Sequence, residues 1–147
     1  MYFVDREKIE QILKYMERVM DEMEQPSYDS FSDGLLLERL VHVSIESILD
    51  VGNMMIDGFI MRDPGSYDDI IDILTDERVL PENQQAGFKA FVQLRKMVVQ
   101  QYTEIDHKHL LHVWNEEKGS LKQFPDRVRT YLEQELGPVS AFSRKED

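Results

Sequence analysis

From Gly34 to Met61 the chain sets Leu36, Leu37, Leu40, Val41, Ile45, Ile48, Leu49, Met55, Ile56 and Phe59 largely at steps of three and four. That recurrence marks one face of an α-helix and leaves little room for any other structure. At about 1.5 Å per residue such a helix is about 40 Å long. Val43 and Val51 widen the apolar stripe beyond what one bundle face requires. Burial on two sides is therefore expected, one against the core and one against a second subunit.

The flanking segments carry the same period. Asp5 can cap a first helix whose apolar residues are Ile9, Ile12, Leu13, Met16, Val19, Met20 and Met23. Pro26 and the run Ser27-Tyr28-Asp29-Ser30 end it. Asp63-Pro64-Gly65 is a turn, and Ser66 with Asp69 is a capping pattern. It opens a short helix from Tyr67 to about Arg78, with Ile70, Ile71, Ile73 and Leu74 inward. Leu80-Pro81 restarts the chain into a fourth helix from about Glu82 to Gln101, where Ala90, Phe91, Leu94 and Val98 share a face. Asp106 caps a fifth helix with Leu110, Leu111, Val113 and Trp114. Gly119 and Pro125 weaken or kink it, and Val128, Tyr131, Leu132 and Leu136 continue the pattern. Gly137-Pro138 is a stop. No segment of real length alternates with period two. The fold class is all-α, an up-and-down bundle of about five helices. Residues 1–138 form one domain and 139–147 a frayed tail.

Composition removes several function classes. The 147 residues include no cysteine, which excludes disulfides and thiolate metal sites and fits a reducing compartment. The opening Met1-Tyr2-Phe3-Val4-Asp5-Arg6 has no basic region followed by an apolar one, and no apolar run approaches the ~20 residues of a membrane span. A cytoplasmic protein without a membrane partner is expected. The net charge of −12 argues against broad nucleic-acid binding, yet residues 1–82 are net −13 while 83–130 are net +3. One basic segment can face a phosphate while the rest repels it.

Most clusters of reactive side chains have a plain explanation. His109 and His112 share a helix face with Glu116, but His107 points elsewhere and no HExxH-like pattern exists, so no metal site is expected. His42, inside the long apolar helix, reads as a hydrogen-bonded core or interface histidine. Asp68, Asp72 and Asp76, four apart, with Asp69 and Glu77, read as a solvated acidic face near a helix N-terminus. There is no glycine-rich phosphate loop and no nucleophile elbow.

One stretch remains, Leu94-Arg95-Lys96-Met97-Val98-Val99-Gln100-Gln101-Tyr102. Arg95 and Tyr102, seven apart, fall within about 20° of one stripe on a helix. By itself this is a packed helical surface. The stretch resembles the motif of HepT-like HEPN proteins, in which Arg, usually followed by Asn, precedes apolar residues, His, any residue and Tyr. Glu38-Arg39, Ile45-Glu46 and Asp50-Val51-Gly52-Asn53 resemble that family's long second helix. Pro64-Gly65-Ser66-Tyr67, Val79-Leu80-Pro81 and Glu104-Ile105-Asp106 resemble its connections. The resemblance covers nearly the whole chain.

It implies a homodimer that brings two motifs together in a cleft, and a metal-independent, cofactor-free endoribonuclease acting as a toxin. It also implies an MNT-type nucleotidyltransferase antitoxin that transfers AMP onto the motif tyrosine, here Tyr102. Arg95, Gln100 and Tyr102 occupy the catalytic positions. Arginine suits the developing charge on a phosphate, and histidine suits proton transfer near neutral pH. Here the motif histidine is Gln100 and the asparagine is Lys96. Glutamine can hydrogen-bond but cannot shuttle the proton. The expectation is a HepT-like toxin component with weak or no RNase activity. The alternatives are a non-catalytic HEPN module that binds or is modified by a nucleotidyltransferase, and a plain interaction domain. Positions five apart differ by about 140°, so Arg95 and Gln100 converge only if the helix ends or distorts there, or across a dimer. His107 or His109 could replace the missing imidazole if the chain folds back.

Overall fold

The computed structural model describes residues 3–137; the expected frayed tail, 139–147, lies outside them. The helices are α1 (Arg6–Glu22), α2 (Phe31–Gly58), α3 (Tyr67–Asp76), α4 (Gln85–Val92), α5 (Arg95–Gln100), α6 (His107–Leu121) and α7 (Phe124–Leu136). A 3-10 turn, Glu82–Gln84, leads into α4. The five expected helical segments are present, the last two each divided in two. The reason is local. Leu94 N–H donates to the Phe91 carbonyl, and Gln123 N–H to that of Ser120. Both reach three residues back rather than four, which tightens the turn and redirects the axis. Pro125, the second residue of α7, fits such a restart because its missing N–H falls where helix donors have no partner. Gly119 stays inside α6.

Helix α2 is the hub, packing against α1, α3, α5 and α6. Leu37, Val41, Ile45, Ile48, Val51 and Met55 are fully buried. Four helices of the same chain satisfy its two-sided burial, so the width of the stripe requires no second subunit. Leu36, counted in that stripe, is 38% exposed. The helix also begins three residues before Gly34. Ser30 and Asp33 form a reciprocal capping box, each side chain satisfying the other's backbone N–H. Met16, Met20 and Met23 are core.

Charge closes the remaining seams. Arg129 of α7 holds Glu10 and Glu17 of α1 as well as Asp126, and these carboxylates push its guanidinium pKa up. The acidic face of α3 is not simply solvated. Asp69 takes Arg62 at 2.8 Å, Asp72 takes Lys89 of α4 at 2.7 Å, and Asp68 accepts from Gln93 at 2.9 Å. The run is an anchoring strip along α4, and the hydrogen bond from Lys89 holds the Asp72 carboxyl below its usual range.

The glycines are not where the backbone alone would put them. Helices α2 and α3 both close with N–H groups turned back onto the last turn, Met61 to Ile56 and Val79 to Leu74. The residue in the left-handed position is Ile60 (φ 55°) in one and Arg78 (φ 65°) in the other, where glycine is favoured. At Gly52, in the middle of α2, an added Cβ would lie 2.6 Å from Ile70 Cγ2. Glycine there sets the close crossing of α2 and α3. Ile70 is β-branched and has little freedom to yield. Gly52→Ala is therefore expected to destabilise by about 1–3 kcal/mol despite its better helix propensity. Ile60→Gly, at an exposed position, is expected to stabilise by about 1 kcal/mol. Urea unfolding of both variants checks the pair; a stabilised Gly52→Ala protein would contradict the crossing.

Candidate functional site

Four polar residues interrupt the apolar surface of α2 at intervals of four: Glu38, His42, Glu46 and Asp50. Each step advances about 6 Å along the axis and turns about 40° around it, so they form one gently winding column. The column meets the start of α5 and the start of α6.

Arg95, the first residue of α5, sits on this column. Its Nε donates to Glu46 Oε2 at 2.6 Å, and its Cζ lies 4.6 Å from the centre of the Tyr67 ring at the start of α3. The side chain is 23% exposed. One edge of the guanidinium is thus fixed by a charge-assisted hydrogen bond and one face by an aromatic ring. The terminal nitrogens have no hydrogen-bond partner among the described residues. The hydrogen bond to Glu46 raises the pKa of Arg95, which keeps it cationic at any relevant pH. His42 Nε2 stands 3.8 Å from the same Glu46 Oε2, so imidazole and guanidinium flank one carboxylate oxygen. One turn further, Asp50 is exposed at the surface, and partial desolvation first and then the Glu46 charge push its carboxyl up, against the opposing pull of Arg95.

The other end of the column is closed by α6. Asp106 caps that helix by accepting the His109 N–H, and His107 Nε2 meets Glu38 Oε2 at 2.6 Å. A Cβ at Gly34 would lie 3.1 Å from His107 Nε2, so the absence of a side chain there admits the ring. His107 is committed to Glu38. Among the described residues no group of three or more His, Asp or Glu is placed to hold a metal.

The three motif positions are not gathered in one place. Arg95 is seated on α2. Gln100, the last residue of α5, is exposed and lies about 140° around the helix from Arg95. Tyr102 does not share a helical stripe with Arg95, because α5 ends at Gln100 and Gln101 (φ −107°, ψ 42°) turns the chain away. The residue is 69% exposed. His42 is not a core residue: it is half-buried, with 31% of its side chain exposed. The α2 column was detectable in sequence as polar residues four apart in an otherwise apolar helix; its pairing with Arg95 and His107, and the seating of Arg95 on Tyr67, were not.

Chemically the arrangement offers an oriented guanidinium with its outer fork free, an imidazole beside it, and an exposed phenol. Three carboxylates in the column limit how much net positive charge a phosphate would meet.

Two outcomes are expected. A double-mutant cycle of Glu46→Ala and Arg95→Ala should show a coupling of about 1 kcal/mol, as for a partly shielded charged hydrogen bond; a coupling near zero would mean the pair does not persist in solution. Asp50→Asn should stabilise the protein at pH 7. The native carboxyl titrates above the unfolded one, so stability falls as pH rises from the ordinary Asp range through the raised native pKa. The gain should therefore vanish below about pH 3, where both states are protonated. Thermal melts across pH check this; a gain of equal size at pH 3 would contradict it.

Residues 7–128 match the family described as Ribonuclease HepT-like. The chain is 50% identical over 143 residues to YutE of Bacillus subtilis (strain 168), named as a candidate RNase, covering 97% of this chain and 99% of that one. The solved structure of that YutE, described as a cytosolic protein of unknown function, superposes with a TM-score of 0.93 over 97% of this chain and 100% of its own. A tri-AMPylated HEPN toxin of Shewanella oneidensis, solved with an MNT antitoxin, shares the fold at 17% identity, with a TM-score of 0.71 over 84% of this chain and 95% of that one. A toxin–antitoxin structure with AMP-PNP shares it at 16% identity, with a TM-score of 0.68 over 82% of this chain and 95% of that one. No helix among the described residues is long and apolar enough to cross a membrane.

Proposed function

The chain belongs to the HepT-like ribonuclease family, and from that membership we propose that it is a metal-independent endoribonuclease of reduced activity, a toxin component silenced by a nucleotidyltransferase. The observation that carries this reading is Arg95. Its Nε is tied to Glu46 and its face to Tyr67, which leaves the outer two nitrogens to take a phosphodiester in one orientation. A guanidinium fixed before RNA arrives loses little freedom on binding and stabilises charge as it builds on phosphorus.

Gln100 sets the level of activity. The motif position that holds histidine in the family holds an amide here, and loss of one acid–base group lowers rates by about 10²–10⁴-fold. Gln100 and Tyr102 both face outward from a single protomer, which supports a composite cleft formed by two copies. Tyr102 is the acceptor for AMP. Its exposed phenol stands just past the end of α5, open to attack on a nucleotide, and the AMPylated Shewanella toxin offers the precedent in a protein of the same fold. An adenylate there adds negative charge and bulk beside the cleft, which blocks RNA.

A second reading, a non-catalytic HEPN module that binds or is modified by a nucleotidyltransferase, draws on Gln100 alone. One assay separates the two. With a chelator present, purified protein should cut a mixed RNA slowly, Gln100→His should cut it about 10²-fold or more faster, and Arg95→Ala should be silent. Equal, robust cleavage by the wild type and Gln100→His would overturn the reduced-activity reading; silence from all three would favour the interaction module. Coexpression with an MNT-type enzyme should add AMP at Tyr102, seen as a mass increase abolished by Tyr102→Phe.

A further inference from the structure

We propose that His42, on α2, is the general base of the slow cleavage, and that the acid role a histidine at position 100 would take is left to water. The proposal rests on the ribonuclease reading above and assigns the proton transfer within it. Three observations carry it. His42 Nε2 lies 3.8 Å from the Glu46 oxygen that accepts Arg95 Nε, so the ring stands immediately beside the group that orients a phosphate. Its side chain is 31% exposed, open enough to meet a ligand, while the ring stem rests on a helix buried on its other faces. The other histidines are worse placed. His107 is taken up by Glu38 at 2.6 Å, and among the described residues no hydrogen bond or ion pair joins His109 or His112, on α6, to Arg95 or Glu46.

The trio has a division of labour. Glu46 orients Arg95 by a hydrogen bond and stands 3.8 Å from His42, Arg95 neutralises Glu46 and grips a non-bridging phosphate oxygen, and His42 handles the proton. With a phosphodiester on the outer nitrogens of Arg95, the adjoining ribose brings its 2′-hydroxyl to the groups flanking that arginine. Neutral His42 takes the 2′-hydroxyl proton as the 2′ oxygen forms a bond to phosphorus. The bond from phosphorus to the 5′ oxygen breaks, and that oxygen takes a proton from water. The products are a 2′,3′-cyclic phosphate and a 5′-hydroxyl, and the imidazolium returns its proton to the hydroxide left behind. The Glu46 carboxylate, 3.8 Å from the ring, favours the imidazolium as it forms.

The test compares wild type, His42→Ala, Gln100→His and Arg95→Ala on a short RNA with chelator present and circular dichroism confirming each fold. His42→Ala should lose about 10²-fold or more in kcat with KM within a factor of two, and added imidazole should restore part of the rate. Wild-type activity in His42→Ala, alongside silence in Arg95→Ala, would sink the assignment and leave the ribonuclease reading standing. A loss that imidazole does not rescue and that raises KM would make His42 a positioning residue acting through Glu46, and would overturn its acid–base role. Cleavage by Gln100→His but not by wild type would show that no native imidazole serves. Silence from wild type and Gln100→His alike would remove both readings.

Discussion

Helix α2 has to bury most of its circumference against four other helices and yet keep one column of four polar side chains. Those demands conflict, because a carboxylate facing a packed helix is costly unless it is paired. The conflict is resolved by what α5 and α6 bring. Arg95 meets Glu46, and His107 meets Glu38. The seam between α2 and the motif segment is therefore held by charge, as are those between α1 and α7 and between α3 and α4, and the groups that hold α5 in place are the ones offered to a phosphate.

This dual use explains why α5 is so short. Had the expected helix run straight from Glu82 to Gln101, Arg95 would be one more surface residue on it. The tightened turn at Gln93 and Leu94 redirects the axis, so that the next residue, Arg95, starts a separate short helix against α2. The termination after Gln100 then frees Tyr102 from the helix. A continuous helix would keep Arg95 and Tyr102 on one stripe; the broken one seats Arg95 inward and leaves Tyr102 exposed beyond the end of α5.

The core was largely legible in the sequence. Ile70, Ile71, Ile73 and Leu74 are buried as their spacing requires, and so are the methionines of α1. Helix caps at Asp5, Ser66 and Asp106 could be read from residue type alone. What escaped were pairings between distant positions. Nothing local to Glu46 says that it meets a residue forty-nine positions on, and the acidic run of α3 looks solvated until Arg62, Lys89 and Gln93 are seen beside it. The left-handed Ile60 was equally hidden, because β-branched residues are the least expected there. Family resemblance supplied the identity of the fold; it did not supply the column on α2.

The central claim is that Glu46 holds Arg95 by one edge and leaves the other edge for a phosphate. The most direct measurement is NMR of the arginine side chains during titration with a short RNA carrying 2′-O-methyl groups, which cannot be cut. The Arg95 Nε–H signal should be protected from exchange before and after RNA is added, while the signals of its terminal nitrogens shift as the ligand binds. A fast-exchanging Nε–H in the free protein, or RNA binding that leaves the terminal nitrogens unmoved, would contradict the account.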